Sequence, residues 1–552
     1  MRFATSSITA ALLLAFGEYA SAQVHQAAYD YIVAGGGTAG IVAAEQLTRS
    51  GRKVLLVERG GPAFYANGNT EKPVAWNSTV TAFDVPALVD SVMGSPNSGW
   101  CDDLSIRAGC VLGGTTTSNG LMFVRPRAED FASWPQSWHW DNKNGIAAAA
   151  AEVYEKLPGT ILASRDSVRY DDGAFDVVSR FLSDNGWSET NALENPEAKE
   201  LVFSHPVWSI GNGLRDSPAR AILDAAKARP CFSMQLNAKI LRAVRSGKRV
   251  TGVEVERADG SREIIPLSNK GSLVLAAGTH STPRVLFNSG IGPAAQIETV
   301  ASGSTNIILP PREQWLDLPV GENLRDHAVA SITLTTRPDV SLPVIPSTDI
   351  TSPIQQKIDQ FAQASGLLTQ GSQRLNFWTS VNTTSGLAYS LQGTVRATKE
   401  STISIKLYLT HGTTSTGTVG ILPNGTTTMT SKPLLQTASD VEALTAGVNM
   451  FLDYTRLPGS ILTVPDNVTA EALLQNMASG SHYLGTAQMG FDDGGKTSVV
   501  DENAKVWGME NLFVVDGSIH PHVPTGNTQA PIMVVAAYAA KRILRLHGGG
   551  RV

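Results

Sequence analysis

YDYIVAGGGTAGIVAAEQLTRSGRKVLLVERG, Tyr29 to Gly60, decides the fold. Tyr31 to Ala34 reads as a short buried strand, and Gly35, Gly37 and Gly40 follow at GxGxxG spacing. Ile41 to Ser50 has helical character, and a second apolar strand, Val54 to Val57, ends in Glu58. This is a βαβ unit. The first glycine permits the tight turn, the second admits a pyrophosphate to the backbone, and the third lets helix and strand pack closely. Thr38 and Ala39 fall within the same turn, where free N–H groups and the helix dipole attract phosphate. Glu58 stands near the spacing of about 20 residues at which an acid meets a ribose hydroxyl. The unit predicts a dinucleotide site but does not choose between FAD and NAD.

Composition bounds the rest. The chain has 552 residues, 42% hydrophobic and 17% charged, with a formal net charge of −5. That is globular composition, long enough for a large core or two domains. No basic run points to nucleic acid or to an anionic membrane. Residues 1–22 read as a secretory signal: Arg2, an apolar stretch from Ile8 to Phe16, and Ala20-Ser21-Ala22 as the cleavage site. A secreted, extracellular protein is therefore expected, beginning at Gln23 and with no membrane anchor. Four N-x-S/T triplets, at Asn77, Asn382, Asn424 and Asn467, suit glycosylation. Of the three cysteines, Cys101 and Cys110 bracket a short segment that a disulfide can close, which leaves Cys231 as a buried thiol. The spacing fits no zinc site, and no metal is expected.

Beyond Gly60 the chain is rich in Gly, Pro, Asn and Ser up to Trp100, then carries a second glycine-rich turn from Gly109 to Arg125. Ala147 to Leu157, Phe175 to Asn185 and Val441 to Thr455 look helical. Phe232 to Ala258 alternates as two or three strands, Gly271 to Gly278 is another strand, and Ile332 to about Ile421 reads mainly as antiparallel strands. The final part returns to strand, loop and helix: Leu512 to Val515, a loop to Asn527, then a helix from about Ala530 to Leu546. The predicted architecture is mixed α/β. A Rossmann-like nucleotide domain is assembled from 23–145, 226–310 and 480–552. A substrate domain on an antiparallel sheet takes 146–225 and 311–479, with the site in the cleft between them.

The motifs then add up to a family. Gly278 to Gly292, GTHSTPRVLFNSGIG, resembles the second signature of the glucose–methanol–choline (GMC) flavin oxidoreductases, and Gly113-Gly114 with Thr115 to Asn119 resembles the first. Leu318 to His327 (LPVGENLRDH), His482 to Gly490 (HYLGTAQMG) and Val514 to Asn527 (VVDGSIHPHVPTGN) are similar to other segments of that family. The likeness runs from about Tyr29 to Leu546. Within the family, Leu375 to Trp378, Gln392 to Arg396, Leu309-Pro310-Pro311 with Trp315, and the Cys101/Cys110 pair resemble the flavodehydrogenase domain of cellobiose dehydrogenase. No haem domain is expected, since the presumed cleavage site lies only a few residues before Tyr29. Ser481 stands where that enzyme has Asn before its catalytic His, and Thr528 where Pro is common.

The resemblance implies FAD and transfer of a hydride from an alcohol or hemiacetal carbon to flavin N5. His482 is the expected base and Asn527 the group that holds the reacting oxygen. An ordinary His pKa near 6.5 suits that work. A further role for Asn527, compatible with the first, is to cap the helix that follows. The cofactor contacts implied are Gly35, Gly37, Gly40 and Glu58 at the ADP half, with Ile240 at adenine. Gly114 is a further cofactor contact, Asn119, Gly120 and Met122 are expected along the ring system, and Asp516 and Gly517 toward the ribityl–pyrophosphate. Thr528 and Gln529 open a helix aimed at N1/O2. Arg396 and Ser481 are the substrate-side candidates. No motif marks an attachment residue, so FAD is expected to be non-covalent. A saccharide is the favoured substrate, with a non-sugar alcohol, a hydroxynitrile-lyase-type reaction and an inactive flavin binder as competing readings. The electron acceptor, whether quinone, oxygen or a redox protein, is written in no motif.

Overall fold

The computed structural model describes residues 28–140, 145–491 and 494–548. The expected signal, residues 1–22, lies outside them. Strand Tyr29–Ala34 is the centre of a parallel array. It pairs on one side with Val54–Val57, which pairs with Phe232–Gln235, and on the other with the end of the long strand Arg262–Leu275, which pairs with Leu512–Val514. Tyr31, Ile32, Val33, Val54, Leu55 and Leu56 have 0% exposure. Covered on both faces, such strands need continuous apolar runs rather than alternation, which is why this sheet reads so clearly in the sequence. The first half of Arg262–Leu275 leaves the array and forms an antiparallel meander with Arg249–Arg257 and Ala238–Ser246.

Helix Thr38–Thr48 is buried from Ala39 to Thr48. It lies beneath the C-terminal helix Gln529–Leu546 and against the short helices Pro218–Ala221 and Leu223–Lys227. Its Glu45 is 1% exposed. Burial alone would raise that carboxyl's pKa, but hydrogen bonds and charge from Lys156 and Arg49 outweigh it and keep Glu45 ionised. Lys156 at 2.9 Å and Arg229 at 3.0 Å tie two other segments to this one carboxylate.

The second sheet is antiparallel. Its main strands run in the order Ala328–Thr336, Thr402–Leu409, Ala388–Lys399, Leu375–Asn382 and Val202–Ser204. One face packs on helices Gly173–Ser183 and Ala438–Arg456, forming a second core with Leu391, Val395, Ile403, Ile405 and Leu407. The other face looks toward the parallel array. The boundary differs from the expected one at two places. Helix Ile146–Lys156 packs on Gln529–Leu546, and Val207 to Leu223 adds side chains to the first core, so both belong with the nucleotide side. Their apolar stripes alone do not say which core they face. The block expected to be strands also contains the helix Gln355–Ala362.

Candidate active site

A cavity of about 610 Å³ opens between the two sheets. It follows the carboxyl ends of the parallel strands, where ligands of this sheet type bind. Neighbouring strands are about 4.8 Å apart, so the edge from Gln235 past Glu58, Gly35 and Ala276 to Asp516 spans on the order of 20 Å. Gly35, Gly37, Thr38, Ala39, Glu58, Gly114, Asn119, Gly120, Met122, Ile240, Arg396, Ser481, His482, Asp516, Gly517, Asn527, Thr528 and Gln529 all line it. Gly40 does not. A Cβ there would stand 1.8 Å from the Gly35 carbonyl oxygen, so its place is the contact between helix and turn. Gly35 has φ +112°, a left-handed conformation that favours glycine.

These residues suit a dinucleotide on structural grounds. Helix Thr38–Thr48 starts at the cavity wall with no side-chain cap and no acid in its first turn, leaving its amides and positive dipole end for an anion. Glu58 accepts backbone N–H bonds from Gly36 (2.6 Å) and Gly60 (2.7 Å). Burial pushes its pKa up to about 7, partly offset by those two amides. The segment closed by the Cys101–Cys110 disulfide covers this end. Its Asp103 is held by Arg59 (2.8 Å), Lys239 (2.7 Å) and Arg284 (2.7 Å). Helix Gln529–Leu546 also begins uncapped at the cavity. Asn527 does not cap it, because its Oδ1 accepts from Gln392 Nε2 at 2.8 Å. Asn119 donates to Gln529 Oε1 at 2.7 Å and accepts from the buried Arg215 at 3.0 Å. Cys231 is half-buried, with its thiol 3.4 Å from the Thr48 carbonyl.

At the substrate wall, a chain of hydrogen bonds fixes one imidazole tautomer. His327 Nε2 lies 3.2 Å from the Pro524 carbonyl, which only accepts, so that nitrogen carries the proton. Burial and the neighbouring His482 push the His327 pKa well below its usual value, so the ring is neutral and its Nδ1 is an acceptor. His482 Nδ1 is 2.8 Å away and must donate to it. That leaves His482 Nε2 unprotonated, its lone pair accepting from the Asn527 amide nitrogen at 3.0 Å. Gln392 holds the amide the right way round to donate. Asp326 clamps the backbone beneath: one carboxylate oxygen accepts the N–H of both His327 and His482, each at 2.8 Å, and the other accepts from Ser479. Burial lowers the His482 pKa to about 4, so the expected value near 6.5 does not hold. The ring is neutral through the physiological range and can take a proton only at Nε2. Asp326, His327 and Gln392 sit in segments marked at the sequence level as LPVGENLRDH and Gln392 to Arg396, but their roles depend on contacts across the chain. Ser481 lies on the cavity rim with φ +56°. Arg396 lines the wall and pairs with Asp90 at 3.0 Å.

Fold and cavity together define a dinucleotide-binding protein with a neutral histidine and an asparagine amide lining the cofactor groove. Residues 29–329 and 413–536 match the two models of the GMC oxidoreductase family, and the chain belongs to that family. It is a FAD-dependent oxidoreductase. The chain is similar to dehydrogenase eriK of Hericium erinaceus, at 25% identity over 94% of both chains. It is similar to the 5-(hydroxymethyl)furfural oxidase of a Methylovorus species, at 26% identity over 94% of this chain and 98% of that one. Among solved structures, a fungal aryl-alcohol oxidase superposes with a TM-score of 0.72 at 20% identity, covering 94% of this chain and 99% of the other.

Proposed function

We propose that this protein oxidises an alcohol or hemiacetal carbon, with His482 Nε2 taking the hydroxyl proton and Asn527 Nδ2 holding the oxygen. Bound FAD supplies the acceptor for the two electrons that leave with the C–H hydrogen. The observation that carries this reading is the tautomer chain ending in an unprotonated Nε2 beside the Asn527 amide. A base has to lie within about 2.6–3.2 Å of the oxygen whose proton it takes, and an oxygen seated against both groups from the cavity side meets that condition. Asn527 does not titrate, so it orients without competing for the proton.

The finer reading is a saccharide acted on outside the cell. It is supported by the polar wall of Thr394, Arg396, Ser404 and Ser481 and by the sequence likeness to cellobiose dehydrogenase. Oxidation of an aryl alcohol is the second reading. It draws on the apolar side chains of Met93, Trp100, Met122 and Tyr408 in the same cavity and on the names of the oxidases cited above.

Anaerobic mixing with candidate alcohols tests the proposal. Substrate should bleach the oxidised flavin, and His482→Ala should keep the flavin bound yet slow bleaching by about 100-fold or more, the usual size of a general-base contribution. Undiminished bleaching in that variant overturns the base assignment. Turnover with no bleaching by any alcohol would instead indicate lyase chemistry.

A further inference from the structure

The cavity face of the antiparallel sheet is laid out in rows. Gln392 stands opposite Tyr408, Thr394 opposite Lys406, and Arg396 opposite Ser404. Thr394, Arg396, Ser404, Lys406 and Tyr408 line the cavity and Gln392 reaches it through Asn527, while the alternate residues Leu391, Ile405 and Leu407 point into the helix-side core. The first row is the catalytic one: Gln392 holds Asn527, and the Tyr408 ring lies 5.8 Å from that of His482. Two residues along a strand advance about 6.6–6.8 Å. Lys406 therefore stands one row, roughly 7 Å, outward from the reacting position, and Arg396 about as far again.

The charges on this wall do not balance. Arg107, Arg396 and Lys406 line the cavity with Asp90, while the other two carboxylates of the described lining, Glu58 and Asp516, are engaged by backbone amides at the carboxyl ends of the parallel strands. Arg396 takes Asp90 at 3.0 Å, and Arg107 donates to the Met93 carbonyl at 2.7 Å. Lys406 has no carboxylate within ion-pair distance among the described residues. Lys406 is exposed to the cavity, and partial desolvation and neighbouring Arg396 lower its pKa against the opposing charge of Asp90. The cluster at the cofactor end is different, because there Asp103 answers Arg59, Lys239 and Arg284. A surplus of positive charge in a cavity of a chain whose net charge is −5 is a feature that a ligand's charge would complete. The Arg396–Asp90 pair is half-exposed, with side chains 40% and 58% accessible. Such pairs hold little energy, so Arg396 can exchange Asp90 for an incoming carboxylate at small cost.

We infer that the substrate is an alcohol bearing a carboxylate about one strand row from the carbon that is oxidised, selected by Lys406 and reinforced by Arg396. This rests on the alcohol oxidation proposed above and narrows it. The spacing suits an anion held across an aromatic ring or a chain of similar length.

The test uses the holoenzyme with 4-(hydroxymethyl)benzoate, its methyl ester and benzyl alcohol, following anaerobic flavin reduction at low and high salt. Benzoate and benzamide serve as non-reacting ligands in calorimetry. The carboxylate should exceed the ester in kcat/KM by about tenfold or more, the scale of one charge-assisted hydrogen bond. Salt should shrink that ratio. Lys406→Met should bring it close to one, and Lys406→Arg should keep most of it. Benzoate should bind more tightly than benzamide. Equal reactivity of acid and ester, or a ratio unmoved by Lys406→Met, overturns the inference and leaves alcohol oxidation standing. Faster reduction by neutral cellobiose than by the acid overturns it too. If none of these alcohols reduces the flavin, the proposed function fails, and the comparison of benzoate with benzamide still decides the anion site.

Discussion

A neutral histidine is useful as a base only if its proton is on the correct nitrogen, and here that choice is made two residues away. The Pro524 carbonyl sets His327, and His327 sets His482. Replacing His327 with Leu removes the acceptor for His482 Nδ1–H while leaving the base in place. Flavin reduction should slow by about 10- to 100-fold, and His327→Gln, whose amide oxygen can still accept, should recover part of it. Rapid-reaction absorbance measures both. A full rate in His327→Leu would show that the tautomer is fixed by something else. Ser481 carries a different strain. Its φ of +56° disfavours a side chain with a Cβ, by about 1–2 kcal/mol where nothing compensates. Ser481→Gly should raise the thermal midpoint slightly, and scanning calorimetry checks the direction. Histidine and asparagine were readable as a pair because their motifs are local. His327 was not, since its partner lies 155 positions away and no spacing rule links them.

The segment from Cys101 to Cys110 acts as a short clasp over the ADP end. One carboxylate, Asp103, meets three cations on three other segments, and together they push its pKa down against the effect of burial. Asp103→Asn should loosen the clasp without breaking the disulfide. The expected result is FAD retention reduced several-fold and falling further with salt, read by ultrafiltration of the yellow protein. Retention equal to that of the parent would place the hold elsewhere, at Glu58 and the helix amides. At this scale the parallel strands and the long helices were legible, because buried apolar runs and helical periodicity are local signals. The facing of Lys406 was not. Alternation fixes that 404, 406 and 408 share a face, but only the packing of Leu407 and Ile405 on helix Ala438–Arg456 determines which face meets the cavity.

Over the whole molecule, burial holds many imidazoles neutral. His205, His280, His482 and His522 are lowered to about 4, His520 to about 3, and His327 and His547 are also lowered. Above the ordinary His pKa near 6.5, folded and unfolded rings are both neutral and contribute no pH dependence. Below it the unfolded chain binds protons that the folded chain refuses, so stability is lost as pH falls from 6.5 toward 4. Each ring contributes a slope of about 1.4 kcal/mol per pH unit in that window. Asp326 and Asp216, raised to about 6, and Glu58, raised to about 7, act in the opposite sense, but they are fewer. Denaturant midpoints measured from pH 7 to pH 4.5 should decline steadily, and a flat profile would contradict it.

The two apolar cores meet across a cleft rather than fusing into one. A ligand filling that cleft is therefore a mortar between two otherwise separable bricks. Stripped of flavin, the chain should melt in two calorimetric steps, one for each brick. Reloaded with FAD, it should melt in a single cooperative peak at higher temperature.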